Sequence, residues 1–180
     1  MNCLVTGAPG FAGSHLVGRL VSDGVKVVAL AAPGEDIFRL DAVAGNIDIR
    51  RADITDVDAL GDALGEKRFD VVYHLAALAG VAGSFSRPLD TYTVNTLGTA
   101  NILDALRQRP PGRFIHISSA DVYGHVPQDI MPIRENTRLA PASPYSASKA
   151  AAEVICSQFW RTYGFPVVII RPFNHTGPGQ

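Results

Sequence analysis

The stretch TGAPGFAG, Thr6–Gly13, decides how this chain is read. Before it, Asn2–Thr6 is a short apolar run that predicts a strand. After it, Phe11–Asp23 places Leu16, Val17, Leu20 and Val21 on one face of a helix. The glycines between follow the spacing Gly-x-x-Gly-x-x-Gly. Gly7 permits a tight turn, Gly10 lets backbone approach a diphosphate, and Gly13 lets the helix pack close to the sheet. An anion would rest on the free N–H groups at the helix start. Gly7, Gly10, Phe11 and Gly13 are therefore candidate contacts to a dinucleotide. Glycines alone also serve any strand-to-helix turn.

Outward from this stretch the pattern repeats. Strands are predicted at Lys26–Leu30, Ile47–Arg51, Phe69–Leu75, Arg113–Ser118 and Phe165–Ile170, and helices at Val57–Leu64, Leu89–Gln108 and Pro144–Tyr163. Such alternation implies right-handed βαβ units and a parallel sheet. The expected fold is α/β: one domain over residues 1–180 with a doubly wound parallel sheet in the order 3-2-1-4-5-6, a Rossmann-like NAD(P)-binding fold. Ligands bind such sheets beyond the carboxyl ends of the strands. The longest predicted loop, Gly124–Ser143, holds Pro127, Pro132 and Pro141 and reads as an ordered excursion near that end.

Composition removes other classes. The chain has 180 residues, 47% hydrophobic and 18% charged, with a formal net charge of −1. No basic stripe provides the footprint of a nucleic-acid binder. No apolar stretch approaches the roughly 20 residues that span a bilayer, so no membrane partner is expected. The start, MNCLVTGAPG, is not a signal peptide, and a cytoplasmic location is expected. Cys3 and Cys156 fit neither a metal motif nor a redox pair and read as buried small hydrophobes; no metal is expected.

The remaining motifs carry chemistry. PYSASKAAAE holds Tyr145 and Lys149 at a spacing that puts both on one helix face. A phenol near its ordinary pKa of about 10 is a poor acid/base at neutral pH, and a nearby ammonium together with a cationic nicotinamide favours phenolate. HISSADVYG closes the fifth strand, ADITD follows the third, HLAA ends the fourth and TVNTLGT lies on a helix. RPFNHTGPGQ, Arg171–Gln180, follows the sixth.

Together with the glycine loop these motifs resemble the short-chain dehydrogenase/reductase superfamily, in its extended branch acting on sugar nucleotides. The resemblance covers essentially the entire chain. It implies that Ser119, four residues before Tyr123, completes a catalytic set with Tyr145 and Lys149 and touches the substrate oxygen. It implies that Asp53 meets the adenine and Ile54 lines its pocket, although Asp53 also reads as a turn starter. Leu75, Ala76 and Ala77 would lie along the cofactor ribose, while His74 and Asn95 read as structural. Pro172 and Phe173 would shape the nicotinamide pocket, Asn174 would reach the substrate diphosphate, and His175 would approach the nicotinamide or its ribose. Asp121 matches the elimination base of 4,6-dehydratases without its usual acidic neighbour, and a local capping role is the equal alternative.

The fuller RPFNHTGPGQ, with ISSADVYG, is similar to reductases of GDP-4-keto-6-deoxyhexoses. The implied reaction is hydride transfer from NAD(P)H to a C4 ketone. The alternatives are a sugar-nucleotide 4,6-dehydratase, a 4-epimerase, or a dinucleotide-binding module without catalysis. The second strand ends in Ala31 and Ala32, with neither the acid that binds an NAD ribose nor the arginine that takes an NADP phosphate. The missing acid leans toward NADP, and Arg39 reads as an exposed helical arginine before a phosphate ligand. Relatives form dimers through the long helices after strands four and five, where Ala150, Ala151, Val154 and Ile155 serve either that interface or the core. Relatives also continue into a lobe that grips the substrate, so the chain is expected to be truncated at Gln180.

Overall fold

The computed structural model describes residues 1–180. Six strands form one parallel sheet: β1 (Asn2–Thr6), β2 (Lys26–Ala31), β3 (Ile47–Arg51), β4 (Val71–His74), β5 (Arg113–Ile117) and β6 (Val167–Ile170), in the order β3-β2-β1-β4-β5-β6. The predicted doubly wound order is the observed one. The central strand β1 is buried from Cys3 to Thr6 on both faces, which is why its sequence is a continuous apolar run.

Helices cover both faces. Leu4, Val28, Val72 and Phe114 pack with Leu60, Leu64, Ile102, Leu103, Cys156 and Phe159 from α2 (Val57–Leu64), α5 (Gly98–Ala105) and α6 (Pro144–Tyr163). Cys3, Val5, Val27 and Ala29 point the other way onto Val17 and Leu20 of α1 (Phe11–Ser22) and onto Leu40. Successive strand residues thus feed opposite cores, as the two-residue period of a strand requires. Both cysteines are unpaired and buried, and no helix is long and apolar enough to cross a membrane.

Local signals fix the helix that matters most for the site. Ser143 and Ser146 exchange side-chain-to-backbone hydrogen bonds in a capping box, Pro144 occupies the first turn, and Gly164 ends α6 in the left-handed region at φ 64°. Asp56 caps α2 by accepting the Ala59 N–H at 3.0 Å.

Several elements differ from expectation. The single helix predicted over Leu89–Gln108 is α4 (Pro88–Tyr92), a π-helical turn over Thr93–Leu97, and α5, which stops at Ala105. The turn widens where Asn95 and Thr96 bond sideways to α6 instead of following the helical ladder. Val81–Ser86 forms an unpredicted short helix, α3, because its glycine and serines carry no helical period. Phe38–Asn46 forms a 3-10 stretch that buries Leu40. The loop Gly124–Ser143 contains a 3-10 turn at Gln128–Ile130.

Candidate active site

A cleft of about 1000 Å³ opens at the carboxyl ends of β1 and its neighbours β2 and β4. The glycine loop forms its floor. Gly7 has φ +66°, and a Cβ there would lie 2.7 Å from the Ala76 amide nitrogen. A Cβ on Gly13 would lie 2.2 Å from the Gly7 carbonyl oxygen. Both positions therefore exclude a side chain, and the missing atoms bring the start of α1 against the end of β4. No side chain caps α1, so its first N–H groups are left for a ligand. This cradle fits a dinucleotide diphosphate.

The far end is built by β2 and β3. Ala31, Ala32, Ala52, Asp53 and Ile54 line it. Asp53 starts the turn, its Oδ1 accepting the Thr55 N–H and hydroxyl, each at 2.8 Å, and the residue lines the cleft. Ile54 is buried in the core beneath this end of the cleft and packs where Gly98 lacks a side chain. Sequence reasoning does not single out Glu35. Its carboxylate accepts the Ala32 N–H at 3.0 Å and lines the cleft, which returns an acid to the end of β2 from a loop. Arg39 is exposed, lies over the Phe38 ring and donates to the Gly179 carbonyl at 3.0 Å.

The wall opposite carries Ser119, Asp121, Tyr145 and Lys149 in the same cleft. Ser119 caps the 3-10 turn Ala120–Tyr123 by accepting the Asp121 N–H at 3.1 Å, and its own O–H bears on the Tyr145 phenol. Asp121 is exposed, and its carboxylate makes no hydrogen bond to backbone or side chain, so the capping alternative falls to Ser119. Lys149 is only 3% exposed, and burial lowers its pKa from 10.5 to about 8. Its ammonium has no protein hydrogen-bond partner, an arrangement that suits the hydroxyls of a ribose.

The expected lowering of the Tyr145 phenol is not produced by the protein alone. Burial pushes it up, the Ser119 hydroxyl draws it down, and the negative charge of Asp121 pushes it up again. Desolvation outweighs the neighbouring groups, and the cationic nicotinamide invoked with the ammonium is no part of the chain.

Behind this wall a buried polar chain fixes the geometry. Asn95 accepts the Leu78 N–H at 2.7 Å and donates to Ser148 Oγ at 2.9 Å, clamping the loop after β4 to α6 beside Lys149. Thr99 donates its proton to the Asn95 carbonyl at 2.7 Å, so it receives the proton of His74 Nε2 at 3.0 Å. His74 Nδ1 then accepts from Thr6 at 2.8 Å, and burial drives the imidazole pKa down to about 3. His74 is neutral and structural, as expected.

The loop after β6 closes the cleft. Pro172, Phe173 and Asn174 line it, together with Leu75, Ala76 and Ala77 from β4 and its loop. His175 also lines the cleft. Its ring stacks on Phe11 at 6.2 Å and 11°, and Nδ1 lies 3.1 Å from the Phe173 carbonyl. It therefore stands beside Phe11 of the glycine loop while still lining the cleft. His15 holds the same loop through the Pro178 carbonyl at 2.9 Å.

Comparison with known proteins agrees with this geometry. A family model described as GDP-mannose 4,6 dehydratase matches residues 4–180. The chain is 40% identical over 177 residues to the GDP-6-deoxy-D-mannose reductase of Pseudomonas aeruginosa, covering 98% of this chain and 53% of that protein. The structure of RMD from Pseudomonas aeruginosa complexed with NADPH superposes with a TM-score of 0.82 at 38% identity, over 100% of this chain and 57% of that one. The dTDP-glucose 4,6-dehydratase of Streptomyces venezuelae with NAD and TYD bound gives 0.88 at 32% identity, over 100% and 58%. The chain thus spans about half the length of the relatives it matches.

Proposed function

The chain belongs to the GDP-mannose 4,6 dehydratase family of extended short-chain dehydrogenases, and from that premise we propose that residues 1–180 form the dinucleotide-binding domain of a sugar-nucleotide reductase acting on the C4 ketone of a GDP-4-keto-6-deoxyhexose. The observation that carries this reading is the convergence of Ser119, Tyr145 and Lys149 on one wall of a cleft whose floor is the glycine loop. The 40% identical reductase supports the choice of reaction.

The bound nicotinamide supplies the hydride. Tyr145 delivers the proton to the carbonyl oxygen, and the Ser119 O–H turns from the phenol to the same oxygen. Lys149 orients the ribose, and the cationic nicotinamide formed as the hydride leaves favours the phenolate that remains when Tyr145 gives up its proton. Asn174 offers an amide to the substrate diphosphate. At the adenosine end, Glu35 is an acceptor suited to a ribose hydroxyl and repels a phosphate, so NAD is preferred here over the NADP suggested by Ala31 and Ala32.

The exposed apolar side chains Phe85, Leu89, Leu97 and Val154 on α3, α4, the π-helical turn and α6 support a homodimer through these helices. Two buried, unpaired cysteines support a cytoplasmic location.

A second reading is favoured by one observation. The unbonded carboxylate of Asp121 in the cleft suits the proton abstraction of a 4,6-dehydratase. The two reactions differ in cofactor economy. In an active form of the protein, a reductase consumes one NAD(P)H per sugar converted, whereas a dehydratase starts from NAD(P)+, takes a hydride from the sugar and gives it back, with no net consumption. Tyr145→Phe is expected to lower turnover by at least about 100-fold while leaving cofactor affinity within a few-fold. Unchanged turnover in steady-state assays would reject the role of Tyr145.

A further inference from the structure

The acid at the far end of the cleft stands on a turn, and a residue outside the cleft holds that turn. Ala32–Glu35 reverses the chain after β2. The Glu35 N–H donates to the Ala32 carbonyl at 3.2 Å, Pro33 fills the second position, and Gly34 takes the third at φ +74°. This is the residue pattern of a type II turn. The Glu35 side chain folds back over it, and Oε2 accepts the Ala32 N–H at 3.0 Å. Oε1 has no protein partner, and the residue lines the cleft.

Arg51 grips the same turn from the next strand. It is the last residue of β3 and pairs with Ala31 at the end of β2. From there Nη1 donates to the Ala32 carbonyl at 3.0 Å and to the Glu35 carbonyl at 2.9 Å, the two ends of the turn. Both bonds are charge-assisted. The guanidinium forms no ion pair with the Glu35 carboxylate, which keeps its charge and its free oxygen. Arg51 does not line the cleft, although Ala52 and Asp53 after it do. Its donors are directed at backbone.

We propose that Arg51 is a specificity-positioning residue. By tying both ends of the Ala32–Glu35 turn to the end of β3, it holds the free Glu35 oxygen toward the adenosine ribose of NAD and keeps a negative charge where NADP carries its phosphate. The proposal rests on the reading of Glu35 as the ribose acceptor, and the test separates the two.

Affinities for NADH and NADPH are measured by nicotinamide fluorescence in the wild type, Glu35→Gln, Arg51→Met, Arg51→Lys, and the double variant Glu35→Gln with Arg51→Met. Arg51 is exposed, and methionine keeps the stem of the side chain without its donors. Arg51→Met is expected to cut the preference for NADH by about 3- to 10-fold, through weaker NADH binding with NADPH binding undiminished. Arg51→Lys restores most of the preference, because an ammonium has donors for both carbonyls. In the Glu35→Gln background, Arg51→Met is expected to move the preference by less than about 2-fold, since no carboxylate is left to hold. Weaker NADPH binding with NADH binding unmoved would overturn the proposal and make Arg51 a phosphate ligand. Equal losses for both cofactors, or no change in either, would also overturn it and leave Arg51 a clamp on the edge of the sheet. A preference unmoved by Glu35→Gln would bring down the ribose reading of Glu35 and the proposal with it. A preference moved by Glu35→Gln but not by Arg51→Met would remove the role of Arg51 alone.

Discussion

Lys149 shows what the site costs the fold. Its unfolded ammonium titrates at 10.5 and the folded one at about 8, so between these values the unfolded chain holds the extra proton and stability rises with pH. Below pH 8 the whole burial penalty applies, on the order of 3 kcal/mol. Lys149→Met, a chain of similar length without charge, is therefore expected to raise stability at pH 7 by up to about 3 kcal/mol. The advantage should shrink to nothing toward pH 10.5, as read from urea midpoints at pH 7 and 10. An equal gain at both pH values would show that packing and not charge decides it. Glu35 makes a second argument at this scale. If its carboxylate reads the adenosine ribose, Glu35→Gln should cut the preference for NADH over NADPH by roughly 10-fold, since an acceptor that repels phosphate becomes a neutral amide. Unchanged relative affinities in fluorescence titrations would remove Glu35 from cofactor choice.

The element that sets the cleft is the β1–α1 turn, and its glycines do different jobs from those elsewhere. Gly7 and Gly24 both have positive φ, +66° and +75°, but a Cβ on Gly7 strikes the Ala76 backbone while one on Gly24 meets nothing within 4 Å. Gly24→Ala should then cost only the left-handed backbone strain, about 1 kcal/mol, and leave NADH binding intact. Gly7→Ala adds a backbone clash that must part β1 from β4, so it is expected to cost several kcal/mol and to abolish binding. Comparable losses in the two variants, measured by thermal unfolding and NADH titration, would contradict the close approach. The π-helical turn between α4 and α5 also serves the site. It turns Asn95 sideways to reach Leu78 and Ser148, at the expense of one regular helical bond pattern.

At the scale of the whole molecule, the strand order and the site wall were legible because each rests on a local rule. Continuous apolar runs mark strands buried on both faces, and Tyr145 and Lys149 share a helix face by spacing alone. What stayed hidden depends on contacts between distant segments. Glu35 becomes a cleft residue only because a loop folds back on Ala32, and the His175 ring meets Phe11, far from it in sequence. The π-helical turn answers Ser148, 53 residues from Asn95, and no window along the sequence contains both. Arg51 reads as the polar end of a strand until the Ala32–Glu35 turn comes under its guanidinium. The strand order has a further consequence, for the chain as it is made. Of the six strands β1 leaves the ribosome before the others, yet it lies in the middle of the sheet and pairs with both β2 and β4. Its second edge stays open until residues 71–74 have emerged. The nascent chain thus carries a strand with an apolar centre, Cys3–Val5, and one naked side through the synthesis of about 40 residues after β2, a window in which self-association competes with folding.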